Sequence, residues 1–293
     1  FLHLSGTELT TGYTHNPSTP SGQARGHALV YGYDGVPRLI IDQKGGEYDW
    51  QACIDELTGK GALMYLAHPF DSSYPFEDAY AWSGYTGVEV WNGSVHASHE
   101  NSRKTFRLWD QKNMEGTQRY YGTAGTDAHS SEKVAGLGLC GYLEELSSDE
   151  LMHMLRSGGF YGSNGPELRF SVGGTAMGSQ LTLAQAGEVR IDFEAYTQTG
   201  TLTSIRILGF PITGSIEDYD EAAAVLLELD LSGEETAYYS GSVTAEVTKD
   251  CFYRMEVKST DPMPGSATGA GPEAGTGFAF SNPVWVTLGE SDT

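Results

Sequence analysis

The hydrophobic period of the chain changes once. Up to about residue 163, short apolar runs alternate with stretches whose apolar residues recur at helical spacing. The segments "HALVYGYD", "GALMYLAHP" (Gly61 to Pro69), "TGVEVWNG" and "QRYYGTAG" are predicted as buried strands, and "FLHLSG" opens in the same style. Between them, "EYDWQACIDELTGKG" places Trp50, Cys53, Ile54 and Leu57 on one helical face, with glycines following as stop signals. "SHENSRKTFRLWDQKN" carries Phe106 and Trp109 three apart on a second helix. Ser147 and Glu150 form a capping-box pattern before "LMHMLRSGG", whose paired glycines predict the C-cap. Alternation of this kind predicts an α/β parallel sheet or barrel, with chemistry at the C-terminal ends of its strands.

After "SNGP" (Ser163 to Pro166) the period becomes two. Leu168, Phe170 and Val172 alternate with polar residues, as do Val189, Ile191 and Phe193, then Leu227, Leu229 and Leu231. Tyr253, Met255 and Val257 follow, and finally Val284, Val286 and Leu288. Roughly eight short strands predict an antiparallel β-sandwich. The exception is the Ala-rich "SIEDYDEAAAVLL", which has good helix propensity. Two domains are therefore expected, residues 1–163 and 164–293. No cluster of exposed aromatics is visible in the second, which reads as a lid or interface support rather than a docking module.

Charge narrows the function. The 39 acidic residues against 17 Lys and Arg give a net charge of −22 at pH 7. Such a surface repels nucleic-acid backbones and anionic membranes, so the expected partner is a small-molecule substrate, with no nucleic acid and no membrane. A metal site still accepts a small anion, because a local cation overrides the mean field. No apolar run approaches the length of a membrane-spanning helix. The reading is a soluble protein, cytoplasmic or secreted. Cys53, Cys140 and Cys251 form no C-x-x-C pair, hence neither a zinc knuckle nor a disulfide framework.

Most candidate ligands stand where apolar runs end. Glu8 follows "FLHLSGT", His68 follows "LMYLA", Asp127 and His129 follow "YYGTAGT", and His27 opens "HALVYG". Mixed imidazole and carboxylate ligation suits Zn²⁺, Mn²⁺ or Fe²⁺, and a bridging carboxylate such as Glu8 suits two ions about 3.5–4 Å apart. Glu89, Trp91 and Asn92 end a strand and are candidates to line a substrate pocket. Arg25 and Arg103 are weaker candidates for an anionic substrate group, while His96, His99 and His153 read as helix residues without a site role.

These residues also carry a resemblance. "GTELTT" with Glu8, "GHALVYG" with His27, "AHPF" with His68, "VEVWNG", and "GTDAH" with Asp127 and His129 stand in the order of a PHP domain. The chain thus resembles the polymerase-and-histidinol-phosphatase superfamily over essentially its whole length. The "SNGP" junction and the closing "AFSNPVWV" look most like the branch of carbaryl-type metallohydrolases with a C-terminal β-domain. The resemblance implies a distorted (β/α)7 barrel followed by the sandwich, and two or three divalent ions (Zn, Mn or Fe). Glu8 would bridge, Asp127 and His129 would complete the first ions, and His27 and His68 would serve the remaining positions. It implies a hydrolase using metal-activated water, with Asp127 or His129 moving the proton. Phosphoesters are the superfamily's usual substrates, and amides or carbamates are the branch's alternative. The family opens with an H-x-H pair, an acid and a further His upstream of "GTE". His3 and His15 do not have that context, so the family's first strands are expected to be missing and the metal site incomplete. A non-catalytic module with a degenerate site is the reading from another class.

Overall fold

The computed structural model describes residues 2, 4–10, 26–33, 49–71, 75–76, 79–93, 99–130, 136–262 and 275–289. His3, His15, Arg25 and His96 lie outside the described residues. The first part of the chain runs β1 (Gly6–Thr10), β2 (His27–Tyr31), α1 (Trp50–Gly59), β3 (Leu63–Ala67), β4 (Gly87–Asn92), α2 (His99–Glu115) and β5 (Tyr121–Gly125). The five strands form one sheet in sequence order. β3, β4 and β5 are parallel, whereas β2 is antiparallel to both of its neighbours. β3 and β4 are buried at every position, the continuous apolar run of a strand covered on both faces.

The helices form where the pattern places them. α1 buries Trp50, Cys53, Ile54 and Leu57, and Asp49 caps it by accepting the Ala52 N–H at 2.9 Å. α2 buries Phe106, Leu108 and Trp109 in the same core as Trp91, Val88 and Leu66. Trp109 donates its indole N–H to the Tyr120 carbonyl at 2.7 Å, fixing α2 against the entry to β5.

The rest of the chain is built mainly of strands. It runs β6 (Gly138–Gly141), α3 (Ser148–Ser157), β7 (Phe160–Ser163), β8 (Glu167–Val172), β9 (Thr175–Ala176), β10 (Gln180–Leu183) and β11 (Gly187–Tyr196). Then come β12 (Leu202–Pro211), α4 (Glu221–Ala224), β13 (Val225–Asp230), β14 (Tyr238–Val247), β15 (Cys251–Ser259), β16 (Gly277–Ser281) and β17 (Val284–Leu288). The Ala-rich segment is a single turn, α4, before the chain extends into β13. An eight-stranded sheet has the order β10-β17-β15-β16-β7-β6, with β12 on β15 and β13 on β12. A four-stranded sheet has the order β14-β11-β8-β9. Phe170, Ile191 and Phe193 of the small sheet meet Ile207, Met255 and Val257 of the large one in a shared core.

The expected (β/α)7 barrel is corrected by this topology. Strands account for 44% and helices for 18% of the described residues, so a helix does not follow each strand as a barrel requires. β2 runs against its neighbours, and among the described residues the ladder ends at β1 and β5 without closing. After β5 the chain leaves this sheet, and β6 and β7 pair within the eight-stranded sheet instead. Hydrogen bonding therefore runs across residue 163, where the sequence period changes. The physical reason is that apolar runs report burial, not strand direction: β2 and β3 read alike but point opposite ways.

Two further links join the parts. Phe278 and Phe280 of β16 pack into the first core, edge-on to Phe106. The fully buried Arg254 of β15 donates two bonds to Asp110 of α2, both 2.8 Å, and one to Glu256 at 2.5 Å. The two carboxylates hold its guanidinium above the usual range against the opposing effect of burial.

Candidate metal centre

Three ligand atoms meet at the open edge of the five-stranded sheet. Glu8 stands two residues before Thr10 on β1, and the register pairs Thr10 with His27 and His27 with Ala67, the residue before His68. Alternation and register thus bring Glu8, His27 and His68 together. His27 Nδ1 lies 2.5 Å and His68 Nε2 3.2 Å from Glu8 Oε1. The two ring nitrogens are 3.2 Å apart. The three donor atoms all lie within 4.8 Å of one another, with Glu8 exposed and both histidines half-buried. Donors sharing one ion at ordinary Zn–N and Zn–O lengths stand roughly 3.3–3.5 Å apart, so this set fits a divalent cation after a small expansion. His68 Nδ1, on the other side of its ring, is buried with no hydrogen-bond partner among the described residues, a cost that a ligand or water there removes.

The electrostatics follow from the crowding. Bonds from His27 and His68 hold the Glu8 carboxyl well below the usual carboxylate range, against partial burial. Burial alone would lower the His68 pKa; its bond to Glu8 and the charges of Glu89, Glu8 and Asp127 outweigh it and raise the pKa to about 9. Glu89, fully enclosed, is pushed by burial up to about 7, only partly offset by His68 and by the hydrogen bonds it accepts. Its Oε2 accepts both the His68 backbone N–H and the Asn92 amide, each at 3.0 Å. A Cβ on Gly125 would stand 2.8 Å from Glu89 Oε1, so glycine there leaves room for the carboxylate.

Backbone strain concentrates here. His68 has φ 30° and Asp127 φ 47°, two of only three non-glycine positive-φ residues among the described residues. Each such conformation costs on the order of 1–3 kcal/mol and persists where surrounding structure over-determines it. His68 immediately follows β3 and Asp127 stands two residues past β5, so both lie at the C-terminal ends of parallel strands.

The expected site residues divide. Glu8, His27 and His68 converge, with Asp127 close enough for its charge to act on His68 and Glu89. His129 does not join them: its side chain is 82% exposed, and its Nδ1 turns back to the Asp127 carbonyl at 2.9 Å. Glu89 and Asn92 line a small cleft of about 20 Å³ beside His68, room for about one water. Trp91 lies in the hydrophobic core edge-on to Phe278. The β4–β5 ladder shifts register between Glu89 and Trp91, and this bulge re-aims the second side chain. Asp71 and Asn101 also line the cleft. Asp71 had a weak signal in the sequence, three residues after His68 at the end of the same turn; Asn101 had none. Arg103 lies on α2 and does not line the cleft, and no helix among the described residues is long and apolar enough to cross a membrane. Compared with protein-family models and with curated proteins, the chain gives no match in either case.

Proposed function

We propose that this protein is a metal-dependent hydrolase of the PHP type that cleaves a phosphoester. The observation that carries the reading is the convergence of Glu8, His27 and His68 on one position, with the strained His68 and Asp127 at adjoining strand ends. It does not rest on a closed barrel. A pocket that pays no regard to backbone comfort at two of its candidate residues is more economically explained by chemistry than by stability. The resemblance implies two or three ions; the residues at hand offer one three-donor position, with Asp127 and Glu89 beside it.

A divalent ion held by Glu8, His27 and His68 supplies a lowered pKa for water and a positive charge against the anion that develops on the attacked group. The chain's own residues do the rest. Glu89 anchors the His68 backbone through its Oε2 and so fixes the direction of the imidazole. Asp127, half-buried beside His68, takes the proton from the attacking water at its carboxylate. Asp127 lies next to the exposed His129, whose Nδ1 is 3.4 Å from its Oδ1, so that proton has a short way out to bulk water. The small cleft beside Glu89 is too narrow for a substrate, which would approach from the exposed Glu8 side.

The test is a panel of aryl phosphomonoesters, phosphodiesters, anilides and carbamates, assayed with Zn²⁺, Mn²⁺ or Fe²⁺. Metal-dependent release from a phosphoester is expected, with His68→Ala reducing it by about a hundredfold or more. Cleavage of anilides or carbamates alone would overturn the phosphoester assignment. No turnover with any metal would leave a binding module and overturn the hydrolase.

A further inference from the structure

The outer face of the four-stranded sheet carries a second feature, remote in sequence from the metal centre. One face of this sheet fills the β core; the other is open, and its side chains are set in rows by the register. Ser171, Asp192 and Ser242 lie side by side across β8, β11 and β14, and Arg169, Glu194 and Ser240 form the next row. The row beyond pairs Tyr196 with Tyr238. Small serines on both flanking strands leave the carboxylates of the middle strand at the floor of a trough. Tyr142, from the turn after β6, forms one wall. Its ring lies under the Arg169 guanidinium at 5.0 Å, and Arg169 Nε donates to its hydroxyl at 3.3 Å. The cleft measures about 690 Å³, within the range of roughly 300–1,000 Å³ common for small-molecule sites.

Three observations restrict the occupant. The lining holds Arg169 and Arg190 against Asp192 and Glu194, so it is charge-balanced on a chain of net charge −22. Neither a polyanion nor a polycation matches it. Tyr142, Tyr196 and Tyr238 are 58%, 41% and 52% exposed, flat apolar faces with a hydroxyl edge on an otherwise polar sheet. The floor offers carboxylate acceptors, guanidinium donors and serine hydroxyls at close spacing; Arg190 Nε donates to Asp192 Oδ1 at 2.7 Å, and the remaining acceptor and donor sites of the row pair with neighbouring hydroxyls of one ligand. A chain of neutral sugar rings has this chemistry, with vicinal hydroxyls around the edge and C–H faces to lay on tyrosine.

We infer that the outer face of β8, β11 and β14 binds a neutral oligosaccharide, with Asp192, Glu194 and Arg169 holding its hydroxyls and Tyr142 stacking on a ring. The site is independent of the metal centre and stands whether or not that centre hydrolyses anything. The edge strand β14 also exposes backbone groups, so an extended peptide is the competing occupant to be distinguished by experiment.

The experiment titrates the whole protein calorimetrically with neutral trisaccharides of glucose, mannose, galactose and xylose, a uronic-acid trisaccharide, and an unstructured neutral peptide. At least one neutral trisaccharide is expected to bind with a Kd of about 1 mM or tighter. Asp192→Ala and the trough-filling Ser240→Tyr should each weaken it at least about tenfold. His68→Ala should leave it unchanged. Both trough positions are on the solvent face, and an unshifted thermal melt confirms that each variant is folded; Tyr142→Ala serves if either is not. Binding of the uronate or the peptide alone, no binding by any sugar, or sugar binding indifferent to these variants would overturn the inference.

Discussion

Glu89 is the residue at which burial and charge are most directly opposed. Its pKa rises from 4.5 to about 7, with burial the largest cause. The folded state therefore keeps a proton that the unfolded chain releases, and stability declines as pH rises between 4.5 and 7, the full cost standing above that window. Glutamine removes the ionisation and keeps both bonds, because one oxygen, Oε2, accepts from His68 and Asn92. In chelator-treated protein, Glu89→Gln should raise stability at pH 8 by up to roughly 3 kcal/mol and change it little at pH 4.5. Equal melting shifts at both pH values would show that the carboxylate is not held protonated. Residue identity was only partly legible in advance. Glu8, His27 and His68 were readable because each marks an apolar run that ends at one rim. The bulge that turns Trp91 into the core and the bend that leaves His129 in solvent depend on backbone geometry that periodicity does not carry.

At the scale of elements, helices were readable and strand directions were not. α1 buries the four residues its spacing selects. α3 begins with Ser147 accepting the Glu150 N–H at 3.2 Å and ends at Gly158 with φ 71°, the left-handed cap its paired glycines signal. Ser147→Ala should lower stability by about 1 kcal/mol, measured by urea unfolding, since the first-turn N–H then loses its acceptor. A variant indistinguishable from the parent would mean that solvent serves the N–H equally well. The strands carry no comparable local signal. β2 and β3 share apolar character, and only their pairing, His27 opposite Ala67, makes them antiparallel and places two imidazoles together. The same limit hid the tyrosine pair in the row beyond the trough. Alternation shows which side of a strand is open, whereas Tyr196 and Tyr238 become neighbours only through the β11–β14 register.

Across the whole molecule, one buried ion cluster ties the α2 layer to the large sheet. Arg254 lies between Asp110 and Glu256, with Trp109 and Phe106 against its guanidinium at 5.4 and 5.5 Å. Arg254→Met should cost about 3–5 kcal/mol by leaving Asp110 buried without its partner, and adding Asp110→Leu should return part of that loss. If the single variant melts with the parent, the ion cluster does not hold the two layers together. The proposed metal centre adjoins this layer, because Trp109 of α2 bonds the Tyr120 carbonyl at the entry to β5, beyond whose end Asp127 stands. The most direct measurement is a calorimetric titration of chelator-stripped protein with Zn²⁺ and with Mn²⁺, alongside His68→Ala. At least one ion per chain should bind with a Kd of about 1 μM or tighter, and the variant should lose it by at least about a hundredfold. No ion bound by the parent, or equal binding by the variant, would contradict the assignment of Glu8, His27 and His68 as a metal centre.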